Sequence, residues 1–108
     1  MDVVAAQCIR LFEEIRVFLA GAGEKPWSQW AGEQARKFEE AFSHEARFPD
    51  KRYLVKEALA QFGGNDTFSD LFLCEQNGHK ISNLKKDNKK LENLRNLLYA
   101  ELEKLQKS

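Results

Sequence analysis

The chain has 108 residues, of which 43% are hydrophobic and 31% charged, and its 17 acidic and 17 basic residues give a formal charge of zero. This length predicts one domain with one modest core, and the balanced charge argues against a general nucleic-acid binder, because such proteins obtain most of their affinity by neutralising phosphates. The apolar runs are far shorter than the about 20 residues that a bilayer span requires, and the start of the chain lacks the basic and apolar regions of a secretory signal, so we expect a cytoplasmic protein.

The first apolar stripe with helical spacing covers residues 4–19. Apolar side chains recur there at intervals of three and four, which predicts one buried face of a helix. Asp2 is the predicted N-cap. Gly21 and Gly23 are expected to end the helix, since glycine favours the position just after a helix.

A second stripe covers residues 27–42. Ser28 is its predicted N-cap, and Trp27 would lie just outside the helix, where a staple residue is found. The tryptophans, Trp27 and Trp30, are interpreted first as core residues. The alternative is that one of them anchors a partner, because tryptophan is enriched at binding hot spots.

A third helix is predicted after a break over residues 43–49. Phe48 is expected to be extended because it precedes a proline, and Asp50 can cap the helix. Its apolar stripe covers residues 53–62, and Gly63 is expected to end it in the left-handed conformation.

The stretch that follows, residues 62–79, interrupts the helical pattern and contains two kinds of turn sequence. Residues 63–66 read Gly-Gly-Asn-Asp, a turn sequence. One interpretation of the next residues is a short helical turn. The other is a β-hairpin with strands 71–76 and 79–81 around an Asn77-Gly78 turn, packed on the helices.

A long charged helix over residues 83–104 completes the chain, with leucines every seven residues at Leu84, Leu91, Leu98 and Leu105. A free coiled-coil seam is the less favoured interpretation, because polar residues such as Asn88 and Arg95 interrupt it. We therefore expect the helix to pack on the other three, with self-association as the alternative. The predicted fold is all-α, with about four helices in a single domain (1–108) and a short irregular or β-hairpin insertion near 64–81.

No group of residues predicts catalysis, a cofactor or a metal. His44 and His79 lack cysteine or carboxylate partners at metal-ligand spacing. Cys74 lies five residues from His79 but follows an apolar run, and both cysteines are interpreted as buried free thiols. Asp66 and Asp70 are four apart, a spacing that serves acid–base chemistry or cation binding, but capping of the turn backbone is the expected role. We therefore expect a protein that is not an enzyme.

One electrostatic feature stands out: residues 80–95 contain six basic side chains against two acidic ones. The ordinary interpretation is a solvated helix face. The functional interpretation is a docking surface for an acidic partner. Aromatic residues are absent between the lysines, which weakens a single-stranded nucleic-acid interpretation.

Several short segments together suggest a family. They are Trp-Ser-Gln-Trp at 27–30, Ala-Gln-Phe-Gly-Gly at 60–64, Thr-Phe-Ser-Asp-Leu-Phe-Leu at 67–73, Asn-Gly-His at 77–79 and Asn-Leu-Arg-Asn-Leu-Leu-Tyr at 93–99. Over residues 27–100 the chain resembles a family of small uncharacterised bacterial proteins with a Gly-Gly-x-x-Ser/Thr-Phe-x-Asp-Leu core motif, linked to the immunity proteins of polymorphic toxins. The resemblance implies a cytoplasmic protein that binds one cognate toxin domain, one to one, and neutralises it without a cofactor.

Two functional hypotheses follow. The first is an immunity protein that blocks the active site or substrate surface of a toxin. The alternative is a small helical regulator that binds nucleic acid or an acidic partner through its lysine-rich last helix; neutral charge makes nucleic acid the weaker choice. The candidate contact residues are Trp27, Trp30, Asn65, Asp66, Asp70, Asn77, His79, Lys85, Lys86 and Lys89.

Overall fold

The computed structural model describes residues 1–43, 48–64 and 66–107, with residues 48–50 described by their backbone. It confirms the all-α class, and the described residues contain no strand. The elements are α1 (Val3–Gly21), α2 (Lys25–Ser43), α3 (Phe48–Ala60), two 3₁₀ turns (Phe68–Asp70 and Glu75–Asn77) and α4 (Leu84–Lys107). Helix α1 packs against α2 and α4, and α3 closes the bundle against the same two helices. Not one described helix is both long and apolar enough to cross a bilayer.

An aromatic cluster fills the centre of the bundle. Phe12 and Phe38 are fully buried with ring centroids 5.2 Å apart. Phe68 enters from the stretch between α3 and α4, is also fully buried, and lies 5.0 Å from the Trp30 ring and 5.5 Å from the Trp27 ring. Phe68 therefore ties the irregular stretch to the core.

The two ends of α1 are as predicted. The Asp2 carboxylate accepts hydrogen bonds from the N–H groups of Val4 and Ala5 at 2.7 and 3.1 Å. The helix ends at Gly21, and Gly23 follows with a φ of 77°. Local capping chemistry thus decided both boundaries.

The predicted start of α2 is wrong: a cap at Ser28 would make residue 29 the first of the helix, but the helix begins four residues earlier, at Lys25. Ser28 is buried and does not cap the helix, since its hydroxyl donates to the Arg16 carbonyl on α1 at 2.8 Å. The Glu24 carboxylate takes the capping role and accepts from the N–H of Trp27 at 3.1 Å.

Both predicted boundaries of α3 also differ. Phe48 is helical rather than extended, and Pro49 lies in the first turn, where its missing N–H is not needed. The helix ends at Ala60, before the glycines. Gly63 does not have a positive φ, whereas Gly64 has a φ of 113°, so the left-handed residue is the second glycine.

Helix α4 packs on α1 and α3, two of the three helices that were expected, and it extends to Lys107, beyond the predicted end at residue 104. Three of the heptad leucines, Leu91, Leu98 and Leu105, are buried in the core, while Leu84 remains 49% exposed. The heptad repeat therefore serves the bundle core, and its first leucine lies outside that core.

The β-hairpin alternative is wrong. Asn77 ends a 3₁₀ turn, Gly78 has a φ of 81°, and Asn77 is not among the described residues with positive φ, as a type I′ turn would require. The N–H of Lys80 donates instead to the Ala22 carbonyl at the end of α1, at 2.8 Å. Residues 79–81 therefore pair with the α1–α2 connection rather than with a returning strand.

Candidate protein-interaction site

An extended segment, residues 71–74, lies against the side of α4; we call it the Phe72 segment. Leu71 and Cys74, at its two ends, both have extended backbone angles. The Asn88 side chain binds the middle of the segment: its Oδ1 accepts from the N–H of Leu73, and its Nδ2 donates to the Leu73 carbonyl, both at 2.8 Å. One side-chain amide thus supplies the pair of hydrogen bonds that a neighbouring strand would otherwise provide.

Arg95 holds the other end of the Phe72 segment. Its Nη1 donates to the carbonyls of Phe68 and Leu71 at 3.1 and 2.8 Å. Burial lowers the pKa of Arg95, while Glu92 and Asp70 nearby raise it. The guanidinium keeps its proton at any ordinary pH. It satisfies the Leu71 carbonyl at the start of the extended segment. It also adds a second bond to the Phe68 carbonyl, which already accepts from the N–H of Leu71 within the 3₁₀ turn.

Asn88 and Arg95 lie seven residues apart, so they project from the same side of α4. In the sequence they interrupt the heptad pattern and look like defects of a coiled-coil seam. In the structure they bind the Phe72 segment. Sequence reasoning missed this role, although two polar residues at heptad spacing on an otherwise apolar edge were the available signal.

The consequence of this binding is the position of Phe72. Leu73 is fully buried and Leu71 is half-buried, whereas the Phe72 side chain between them is 53% exposed. Side chains alternate in an extended segment, so the two flanking residues that point inward turn Phe72 outward. Because the backbone on both sides is hydrogen-bonded to α4, the backbone that carries the exposed ring is held in place.

Phe72 lies beside an open groove of about 970 Å³ along the start of α4; we call it the Phe72 groove. Its apolar surface comes from Phe72 and from the half-exposed Leu84. The basic side chains on its lining are Lys85, Lys86, Lys89, Lys90 and Arg95. The structure therefore places the predicted lysines around an aromatic residue that sequence spacing did not connect with them.

The start of α4 is capped at two positions. The Asn83 side chain accepts from the N–H of Lys86 at 2.9 Å. The Asp87 carboxylate accepts from the N–H groups of Ser82 and Asn83 at 3.0 and 3.3 Å. These bonds fix the first turn of the helix, and with it the position of Leu84 in the groove.

His79 was predicted as a contact residue, but it is only 7% exposed and takes part in internal bonding. Its Nδ1 accepts from the N–H of Cys74 at 3.0 Å, so in the neutral ring Nε2 carries the proton and donates to Glu24, also at 3.0 Å. The same Glu24 carboxylate caps α2 through Trp27. His79 therefore links the end of the Phe72 segment to the α1–α2 connection.

The other predicted contact residues are scattered. Trp27 and Trp30 are half-buried in the aromatic cluster around Phe68. Asp66, which has a φ of 61°, and Asp70 are exposed.

Asn77 is also exposed, and Asn65 lies outside the described residues. Of the predicted set, the structure gathers Lys85, Lys86 and Lys89 at one groove.

Within the described ranges, no three side chains of His, Cys, Asp or Glu come together as a metal site. No family model, curated protein or solved structure matches this chain. The fold and the site define a small four-helix domain that presents an exposed aromatic side chain beside a groove lined by lysines.

Proposed function

We propose that this protein is a cytoplasmic immunity protein that binds a cognate bacterial toxin domain, one to one, and neutralises it by covering its active site or substrate surface. The observation that carries the proposal is the exposed Phe72, held in place by Asn88 and Arg95. The resemblance to toxin-linked immunity proteins supplies the class of partner. Occlusion requires only a complementary surface, so it needs no cofactor.

An exposed aromatic ring on a backbone that is held in place is well suited to anchor a protein partner. Large aromatic side chains in desolvated contacts provide much of the binding energy at protein interfaces. Binding also costs less conformational entropy when the backbone that carries the anchor is already held in place. Phe72 meets both conditions, because its ring is 53% exposed and its neighbours are bonded to α4.

The lysines around Phe72 would contribute mainly to association. Charged groups at the rim of an interface speed the encounter with an oppositely charged surface, and they affect the lifetime of the complex less. Lys85, Lys86 and Lys89 are exposed around the groove and meet this description.

The test is co-expression of this protein with a toxin encoded beside it. The wild-type protein should protect the cells and elute with the toxin domain as a one-to-one complex. Phe72→Ala should weaken the complex by about 2–4 kcal/mol, which is roughly 30- to 1000-fold in Kd. Tyr53→Ala is the matched control, because Tyr53 is an exposed aromatic on α3 outside the groove.

Two results would reject the proposal. Cells that die equally fast with and without this protein, together with the absence of a complex on size exclusion, would exclude immunity. Equal effects of Phe72→Ala and Tyr53→Ala on a complex that does form would mean that the toxin binds elsewhere.

A second candidate function is favoured by one specific observation. The structure places the Phe72 ring beside lysines, which is the combination of aromatic and basic side chains that binds single-stranded nucleic acid. A small regulator of that kind would lose affinity steeply with added salt, because it releases counterions from phosphates. A titration of a fluorescent single-stranded oligonucleotide at several salt concentrations measures this directly.

A further inference from the structure

The cations that line the Phe72 groove are not equally available to a partner. Arg95 is bonded to two backbone carbonyls. Lys89 lies 3.7 Å from the Glu92 carboxylate, and the Lys90 ammonium stands 4.9 Å from the centre of the Phe18 ring.

Lys85 and Lys86 remain. Both are exposed, and in the described part of the chain their ammonium groups have no ion pair or ring contact. The groove therefore offers two unoccupied positive charges, which directly follow Leu84 in the first turn of α4.

These two lysines also lie in an unfavourable place for the fold. They belong to the first turn of α4, where N–H groups without a partner inside the helix create a positive partial charge. A cation there opposes the helix dipole, and neither lysine is buried to compensate. Residues that work against local stability are expected at functional sites.

We infer that the Phe72 groove binds an acidic protein segment, in which one apolar side chain packs on Phe72 and Leu84 while flanking carboxylates pair with Lys85 and Lys86. This inference rests on the proposed function and adds the chemistry of the partner. The surface of the toxin domain that is covered at this groove is acidic. If the toxin domain binds nucleic acid in a basic cleft, the acidic surface that this groove contacts lies outside that cleft.

The observations favour a protein segment over a nucleic acid. A site for a phosphate backbone has a continuous row of cations. This groove has two unoccupied cations, and its lining also contains the Glu92 carboxylate. Leu84 gives the groove an aliphatic wall, which suits an apolar side chain better than a stacked base. A segment with two carboxylates beside one apolar residue matches the two lysines in charge and the Phe72 and Leu84 side chains in hydrophobicity.

The first arm of the test uses defined probes and needs no toxin. The isotope-labelled protein is titrated with a short peptide that has a Phe-Leu pair between Asp and Glu residues, and amide shifts are followed by NMR. Shifts centred on Phe72, Leu84 and Lys85 are expected. The same peptide with Lys in place of Asp and Glu should leave these amides unchanged, and a single-stranded oligonucleotide of equal charge should bind more weakly.

The inference is overturned if the basic peptide or the oligonucleotide binds the groove as well as the acidic peptide does. It is also overturned if the acidic peptide shifts no amide of the groove.

The second arm uses the toxin complex and reverses the two charges. Lys85→Glu/Lys86→Glu places acidic residues in the first turn of α4, where they favour the helix, so the variant should fold at least as well as the wild type. Association with the toxin domain should slow about tenfold at low salt. The control is Lys37→Glu/Lys56→Glu, which makes the same change in net charge outside the groove.

The two arms separate the two ideas. If the complex forms and charge reversal in the groove slows association no more than the control does, the acidic-segment inference is wrong while the immunity function stands. If the acidic peptide binds the groove but no toxin complex forms, the inference about the groove stands and the immunity function is wrong.

Discussion

Asn88 is the residue of α4 whose side chain binds the backbone of Leu73, and replacing it with alanine removes that side chain. Three hydrogen bonds are lost, two to the backbone of Leu73 and one from Nδ2 to the Leu84 carbonyl at 2.9 Å. The Leu84 carbonyl belongs to α4 and keeps its bond within the helix. The N–H and C=O of Leu73 have no such replacement, and Leu73 is fully buried.

The expected loss follows from these two backbone groups. A buried polar group without a partner costs about 1–3 kcal/mol, and the lower end applies here because both bonds lie at a partly buried edge. The two groups together therefore cost about 2 kcal/mol. Alanine is a better helix former than asparagine by about 0.5 kcal/mol, so Asn88→Ala should lower the free energy of unfolding by about 1.5 kcal/mol.

Asn96→Ala is the matched control, because Asn96 is an exposed residue of the same helix and gains the same helix propensity. Urea unfolding followed by circular dichroism gives the free energy of unfolding for both variants. They should differ by about 2 kcal/mol, which corresponds to a difference of about 1 M in the urea midpoint. Equal stabilities would show that Asn88 does not hold the Phe72 segment, and the fixed position of Phe72 would have no physical basis.

Three further predictions concern single residues. Gly23→Ala should destabilise the protein by about 1 kcal/mol in thermal unfolding, because Gly23 has a φ of 77°. Gly63→Ala is the control and should be tolerated, because Gly63 has an ordinary φ and open space around its Cα. Equal effects of the two substitutions would contradict the assignment of the strained position to Gly23. Gln34→Met should leave stability unchanged or raise it, because the buried Oε1 of Gln34 has no hydrogen-bond partner among the described residues; a lower urea midpoint would reveal a bond that the side chain makes. Burial raises the pKa of the Cys8 thiol to about 12. A thiol reagent at pH 8 should therefore modify the half-buried Cys74 first and reach Cys8 only on unfolding. Rapid labelling of both cysteines in the folded protein would contradict this prediction.

Elements that depend on neighbouring residues could be predicted from the sequence. The apolar stripe of α1, its Asp2 cap and its terminal glycines all act within one or two helical turns, and the structure confirms them. The packing of α4 through Leu91 and Leu98 follows equally from spacing. In the irregular stretch, spacing left a helical turn and a hairpin open, because two short apolar runs around Asn77-Gly78 fit both patterns.

The amino-acid sequence by itself determined the all-α class, the four helices and the presence of a lysine-rich segment. Only the tertiary structure decided which polar side chains bind which backbone groups, because those partners lie 15 to 55 residues apart: Asn88 with Leu73, Arg95 with Leu71, and His79 with Glu24. An extended chain without a partner strand must satisfy its N–H and C=O groups in some other way. In this protein α4 provides those bonds, and they turn Phe72 outward beside the lysines.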